Sequence, residues 1–221
     1  MGLLDLLFPK TCVGCGKFGS YICENCLKKI EYLETQVCNE CYKLAIGGQT
    51  HPYCQKSHGL DGVISLVNYK SPVREMIQQL KYRFTTSLLD EISEKLVFDK
   101  ALVKNKNWTV VPLPLHKTRQ NFRGFNQAEL LGKVIADKLE LRFDNKLLIK
   151  IAKTKPQVGL TKNQRRDNVK DVFEVTKKLE SDAYFIFDDV WTSGASLKSV
   201  AAELKKAGAK TVWGLTLAHP R

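Results

Sequence analysis

Phe185-Ile186-Phe187-Asp188-Asp189-Val190-Trp191-Thr192-Ser193-Gly194-Ala195-Ser196 runs from an apolar stretch, through a pair of acids, into a small hydroxyl-rich turn that opens onto a helical pattern. Each part has a physical job. A helix N-terminus presents unsatisfied N–H groups at the positive end of its dipole and attracts an anion. Thr192, Ser193 and Ser196 can add hydroxyl donors, and Gly194 lets the backbone approach a phosphate closely. Acids at the end of the preceding strand repel phosphate but accept hydrogen bonds from vicinal hydroxyls. A ribose 5-phosphate carries both halves of that pattern. A capped helix with surface acids would spell much the same letters.

Outward from this stretch, strand-like and helix-period runs alternate. Val63 to Tyr69 reads as a strand and Val73 to Tyr82 as a helix, with Val73, Met76, Ile77 and Leu80 on one face. Ser87 to Phe98 reads as a second helix, and Thr109 to Val111 as a buried strand halted by Pro112 and Pro114. Gln127 to Leu139 is helical, Tyr184 to Phe187 a short buried strand, Ala195 to Ala207 a helix ended by Gly208, and Thr211 to Leu217 a last strand. Such alternation predicts a parallel sheet with helical crossovers on both faces, hence an α/β domain. Lys150 to Arg166 has no clear period and reads as a mobile loop.

All seven cysteines lie between Cys12 and Cys54, which sets a boundary near His58 to Gly62: a small module over 1–60 and an α/β domain over 61–221. The spacings Cys12-x-x-Cys15, Cys23-x-x-Cys26 and Cys38-x-x-Cys41, followed by Cys54, are those of two zinc ribbons. A two-residue gap lets both thiolates of a knuckle reach one tetrahedral ion. The first two pairs form one site. The third pair and Cys54 form another, closed by His58, with His51 as the alternative. An odd cysteine count argues against a disulfide framework. Closed sites are structural, so the zinc supplies folding energy to a segment too small to bury its own core.

The net charge of +12, from 35 basic and 23 acidic residues, predicts a polyanionic partner: a phosphorylated small molecule, single-stranded nucleic acid or an anionic membrane. The hydrophobic fraction of 43% is that of a packed globular chain. No stretch approaches the roughly 20 apolar residues of a spanning helix, and Met1 to Pro9 lacks the marks of a secretory signal. Cytoplasmic residence is the expectation.

The Asp188–Ser196 stretch resembles the phosphoribosyl pyrophosphate loop of type I phosphoribosyltransferases, and the rest of the chain narrows the resemblance to the ComF family. It is carried by the Cys-x-x-Cys pairs, Leu80-Lys81-Tyr82-Arg83, Val111-Pro112-Leu113-Pro114, Arg119 with Arg123-Gly124-Phe125-Asn126-Gln127, Pro156-Gln157, and Leu160 with Arg165, Arg166 and Asn168. The resemblance implies that Asp188 and Asp189 contact ribose hydroxyls and act at the catalytic centre, and that Thr192, Ser193, Gly194, Ala195 and Ser196 cradle the 5-phosphate. It also implies that Arg119 and Arg123 meet the pyrophosphate and that Lys153 to Arg166 form a mobile catalytic loop. Ser193 stands where the family's pattern usually has a second threonine, and keeps the hydroxyl.

Magnesium bound with phosphoribosyl pyrophosphate is the implied second metal. Paired acids near a forming oxocarbenium ion and cations near the departing diphosphate would stabilise opposite ends of one charge separation. No acceptor or nucleophile activator is readable, and His116 has no readable partner, so whether turnover occurs stays open. The resemblance equally implies a role in natural competence, handling incoming single-stranded DNA beside other competence-machinery proteins. In that reading the fold is a binding module, with Tyr82, Phe122 or Phe125 available to stack on bases.

Overall fold

The computed structural model describes residues 9–82, 86–96, 98, 107–151 and 172–220. The amino-terminal part is built around turns, with a short helix α1 (Glu24–Leu27) and a two-stranded ribbon of β1 (Gln36–Val37) and β2 (Leu44–Ala45). Beyond it come β3 (Gly62–Asn68), α2 (Val73–Tyr82), α3 (Thr86–Lys95), β4 (Trp108–Pro112), α4 (Lys117–Arg123), α5 (Gln127–Lys138) and β5 (Arg142–Phe143). A hairpin of β6 (Leu148–Lys150) and β7 (Phe173–Val175) is followed by β8 (Ala183–Val190), α6 (Ala195–Lys206) and β9 (Thr211–His219).

Five strands form one parallel sheet in the order β3-β9-β8-β4-β5. β8 is central because Tyr184-Phe185-Ile186-Phe187 is apolar on both faces, and all four side chains are buried. Phe185 and Phe187 join a core with α2, α3 and α5, whereas Tyr184 and Ile186 join a second core with α6 and the β6–β7 hairpin. The expected α/β sheet covered on both faces is therefore the observed architecture, with the cysteine module attached.

The module is welded to the sheet rather than tethered. Ile22 and Ile30 belong to the same core as α2 and α3, and the Glu91 carboxylate accepts from the Tyr21 and Ile22 amides at 3.1 and 2.9 Å. Edge strand β3 would otherwise expose an unpaired ladder. The Gln36 side chain covers it, accepting from the Ser65 N–H and donating to the Ser65 carbonyl, both at 3.0 Å.

Elements differ from expectation mainly at their ends. β8 continues through both acids to Val190, because its parallel partner β9 runs to His219 and pairs Asp188 with Thr216 and Val190 with Ala218. α4, with no apolar period in sequence, was not foreseen. It is set by local chemistry: the His116 ring accepts from the Thr118 N–H at 3.2 Å, and Gly124 closes the helix in the left-handed conformation. The expected loop over Lys153 to Arg166, together with Pro156, Gln157, Leu160 and Asn168, lies outside the described residues, as does Arg83; the hairpin strands β6 and β7 flank that span.

Candidate phosphate site and metal centres

In an open parallel sheet, ligands bind outside the carboxyl ends of the strands where the winding direction reverses. Here β4 leads outward through α5 to β5, while its neighbour β8 leads the other way through α6 to β9. The reversal falls between β4 and β8. Pro112 to His116 and Asp188 to Ser196 follow from those two strand ends, so the stretch singled out in sequence occupies the switch point. A cleft of about 460 Å³ lined by Pro112, Pro114, His116, Asn126 and Lys150 opens at the end of β4. A larger apolar groove, about 690 Å³, lies away from this chemistry between the cysteine module and β3.

Strand alternation sends the two acids to opposite faces. Asp189 follows Phe185 and Phe187 toward the α2 side, where Lys81 Nζ meets its Oδ2 at 2.7 Å. Asp188 follows Tyr184 and Ile186 toward the side of α6, whose amino-terminal turn it precedes. Part of the Asp188 surface is open, yet the protein crowded around its carboxyl strips away water. That desolvation, and then the charge of Asp189, hold Asp188 well above the usual carboxylate range, against the Asp189 N–H that donates to its Oδ1 at 2.9 Å. One carboxylate is thus paired with a lysine, whereas the other is met by the Asp189 N–H and by the Asp189 carboxyl itself.

The turn between β8 and α6 is tightly specified. Gly194 has φ 68°, and a Cβ there would meet Trp191 Nε1 at 2.6 Å, so only glycine fits. Ser193 Oγ accepts from the Ala195 N–H at 3.4 Å. Trp191 is buried and stacks on His219 at 4.1 Å, while the His219 Nδ1–H donates to the Trp191 carbonyl at 2.8 Å. Thr192 is exposed and Ser193 and Ser196 are half-buried, so the hydroxyls remain reachable.

Arg123 stands in the last turn of α4, its guanidinium donating to Gln127 Oε1 at 3.1 Å. Arg119 lies on the same helix, and its side chain is outside the described residues. Much of Arg123-Gly124-Phe125-Asn126-Gln127 has a structural duty: Gly124 ends α4 and Asn126 caps α5, accepting from the Ala128 N–H at 3.1 Å. Lys81 is the site residue to which sequence reasoning assigned no role. Its signal was present, a basic residue closing an apolar-faced helix, but nothing local names Asp189 as its partner.

Among the described residues, two clusters of candidate metal ligands are formed. Cys12, Cys15, Cys23 and Cys26 bring four sulfurs within 4.8 Å of one another. Gly14 makes room, since a Cβ there would lie 2.9 Å from Cys26 Sγ. Burial pushes the Cys12 thiol up, but N–H donors from Cys23, Gly14 and Cys15 outweigh it and bring it down to about 6; burial and the neighbouring thiols push Cys26 up to about 12. Four thiols this close cannot all ionise alone, and a divalent cation removes the conflict. The donor set fits structural zinc.

The second cluster corrects one expectation. Cys38, Cys41 and Cys54 are joined by His51, not His58. His51 Nδ1 lies 3.3 Å from Cys41 Sγ and accepts from the Tyr53 hydroxyl at 3.0 Å, while its Nε2–H donates to the Leu44 carbonyl at 2.9 Å, which fixes the tautomer whose Nδ1 lone pair can ligate a metal. His58 instead pairs with its neighbour Ser57 at 3.2 Å. Spacing alone favoured Cys54-x-x-x-His58, but the turn Pro52–Cys54 folds His51 back over the knuckle, with the Cys54 N–H donating to the His51 carbonyl at 2.8 Å.

Comparison with known proteins agrees with the metal-binding module. Residues 3–57 match the double zinc ribbon domain. Competence protein F of Haemophilus influenzae is 27% identical over 98% of this chain and 94% of its own length. The chain is a homologue of the competence F proteins. Competence protein ComFC of Bacillus subtilis is 23% identical over 89% of this chain and 83% of its own. The DNA utilization protein YhgH of Escherichia coli K12 is 25% identical, with 72% of each chain covered. Among the described residues of this competence F homologue, no helix is long and apolar enough to cross a membrane.

Proposed function

We propose that this protein binds a ribose 5-phosphate group, as in phosphoribosyl pyrophosphate with magnesium, in the crevice between β4 and β8, and that it serves competence or DNA utilization, the roles that its relatives' names carry. The supporting observation is the coincidence of twin carboxylates and a glycine-shaped, hydroxyl-lined helix opening at the topological switch point. The α6 amides and the hydroxyls of Thr192, Ser193 and Ser196 receive the 5-phosphate. Asp188 accepts from a ribose hydroxyl. Asp189, already met by Lys81, holds a second hydroxyl. Arg119 and Arg123 on α4 serve the pyrophosphate end. Magnesium bound with the diphosphate would supply neutralisation of the leaving group. If turnover follows, the paired acids stabilise positive charge at the anomeric carbon.

A second reading has one observation of its own. Phe122 is 87% exposed on α4, between Lys117 and Arg123. An exposed aromatic among cations is a stacking platform for a single strand, and a net charge of +12 adds a salt-dependent attraction. Calorimetric titration distinguishes the readings: with phosphoribosyl pyrophosphate and magnesium, and separately with a short DNA single strand at two salt concentrations. Saturable binding of the sugar phosphate that disappears in Asp189→Ala supports the first. No heat with the sugar phosphate, beside binding of the strand that Phe122→Ala weakens, rejects it for the second.

A further inference from the structure

The two knuckles share one backbone. In the first, the Gly16 N–H donates to the Cys12 carbonyl at 2.8 Å and the Cys12 N–H to the Lys17 carbonyl at 2.8 Å. In the second, the Tyr42 N–H donates to the Cys38 carbonyl and the Cys38 N–H to the Lys43 carbonyl, both at 2.9 Å. The residue after the knuckle's last cysteine is left-handed in each, with φ 75° at Gly16 and 59° at Tyr42. Glycine takes that conformation without strain and tyrosine does not. Tyr42 and Glu140 are the non-glycine residues with positive φ among those described.

Strain held at one position calls for a return elsewhere. The Tyr42 ring stacks on Trp191 at 5.7 Å and 15° between planes, and its hydroxyl donates to the Ser193 carbonyl at 3.2 Å. Both contacts fall on the turn that opens α6. A second strut runs beside them: Glu40, within the same knuckle, meets Lys198 of α6 at 3.2 Å. The backbone that wraps the second metal thus reaches 151 residues along the chain to the proposed phosphate turn.

We propose that Tyr42 is a positioning residue through which the second zinc ribbon holds the Trp191–Ala195 turn in its anion-receiving shape. The functional half of this inference rests on the sugar-phosphate reading; the mechanical half does not. Zinc in the second ribbon fixes the left-handed knuckle, the knuckle aims the ring, and the ring and hydroxyl pin the turn.

The test uses the full-length zinc-loaded protein with Tyr42→Gly, which relieves the backbone and deletes the brace, and Tyr42→Phe, which keeps the ring and deletes the hydroxyl bond. Amide exchange over 192–196 is measured without ligand, zinc content by metal analysis, and affinity by titration with ribose 5-phosphate. Tyr42→Gly is expected to keep its zinc while exchange over 192–196 quickens and affinity falls, each by roughly tenfold, with Tyr42→Phe intermediate. Unchanged exchange over 192–196 in Tyr42→Gly overturns the brace. Should that variant lose zinc, Tyr42→Phe decides, and wild-type exchange in it overturns the brace equally. Failure of the wild type to bind ribose 5-phosphate rejects the ligand reading and leaves the exchange result to judge the mechanics.

Discussion

Asp188 and Asp189 are neighbours in sequence and opposites in surroundings, because a strand turns successive side chains to opposite faces. Lys81 meets only one of them. Asp188 is held above the usual carboxylate range by desolvation and by Asp189, and the sign of its effect on stability follows. A carboxyl whose folded pKa exceeds its unfolded one binds its proton more tightly when folded, so it favours the fold at low pH and that contribution is lost as pH rises through the folded value. Asp188→Asn should therefore raise the melting temperature at pH 7, with the gap closing below about pH 4, while sugar-phosphate binding is lost. A neutral-pH melting point below wild type would contradict this account of the site. Lys81→Met leaves two crowded carboxylates without a cation and should cost about 2 kcal/mol at pH 7 in denaturant unfolding, less as the acids protonate. The acids themselves were legible in sequence, but the division of labour between them was not, since it depends on an α2 lysine more than 100 residues away.

Between strand and helix, the turn from Trp191 to Gly194 is set by a single missing methyl. Gly194→Ala adds a Cβ against Trp191 Nε1 at a left-handed position, so the turn must open or the ring must move. The expected outcome is a loss of about 1–3 kcal/mol in thermal or denaturant unfolding, together with loss of ribose 5-phosphate binding. Retained affinity would mean that the turn is not the cradle. Elements with an apolar period declared themselves: α2 over Val73–Tyr82 and α6 from Ala195 are where the pattern puts them. α4 and the β6–β7 hairpin did not, because caps and a distant strand partner make them rather than periodicity. β8 outruns its apolar letters for the same reason, as β9 offers hydrogen bonds beyond Phe187 whatever the side chains are.

For the whole molecule, the zinc module and the sheet share one core. Ile22 and Ile30 pack with α2 and α3, so stripping metal should lower the melting temperature of the entire chain by more than about 5 °C rather than release a detached ribbon. Metal analysis should find two zinc ions per chain, one for each cluster. His51→Ala should lower that count toward one and His58→Ala should leave it at two; the reverse would restore the pairing that spacing suggested. Electrostatics also belongs to this scale. If a DNA single strand binds through about four phosphates, its affinity should fall roughly 50-fold between about 50 and 200 mM salt, whereas a flat response would remove the net charge from the argument.

Periodicity, cysteine spacing and the Asp-Asp…Ser-Gly turn by themselves determined an α/β sheet, a zinc module and the strand end to which we assign an anion. These are local signals, readable because helices, strands, knuckles and helix openings repeat their chemistry within a few residues. Only the tertiary structure decided that His51 rather than His58 completes the second cluster, that Lys81 answers Asp189, and that Tyr42 lies on Trp191. Each of those is a meeting of surfaces whose geometry is set by how the chain turns and packs, and for the last two by contacts between segments far apart in sequence.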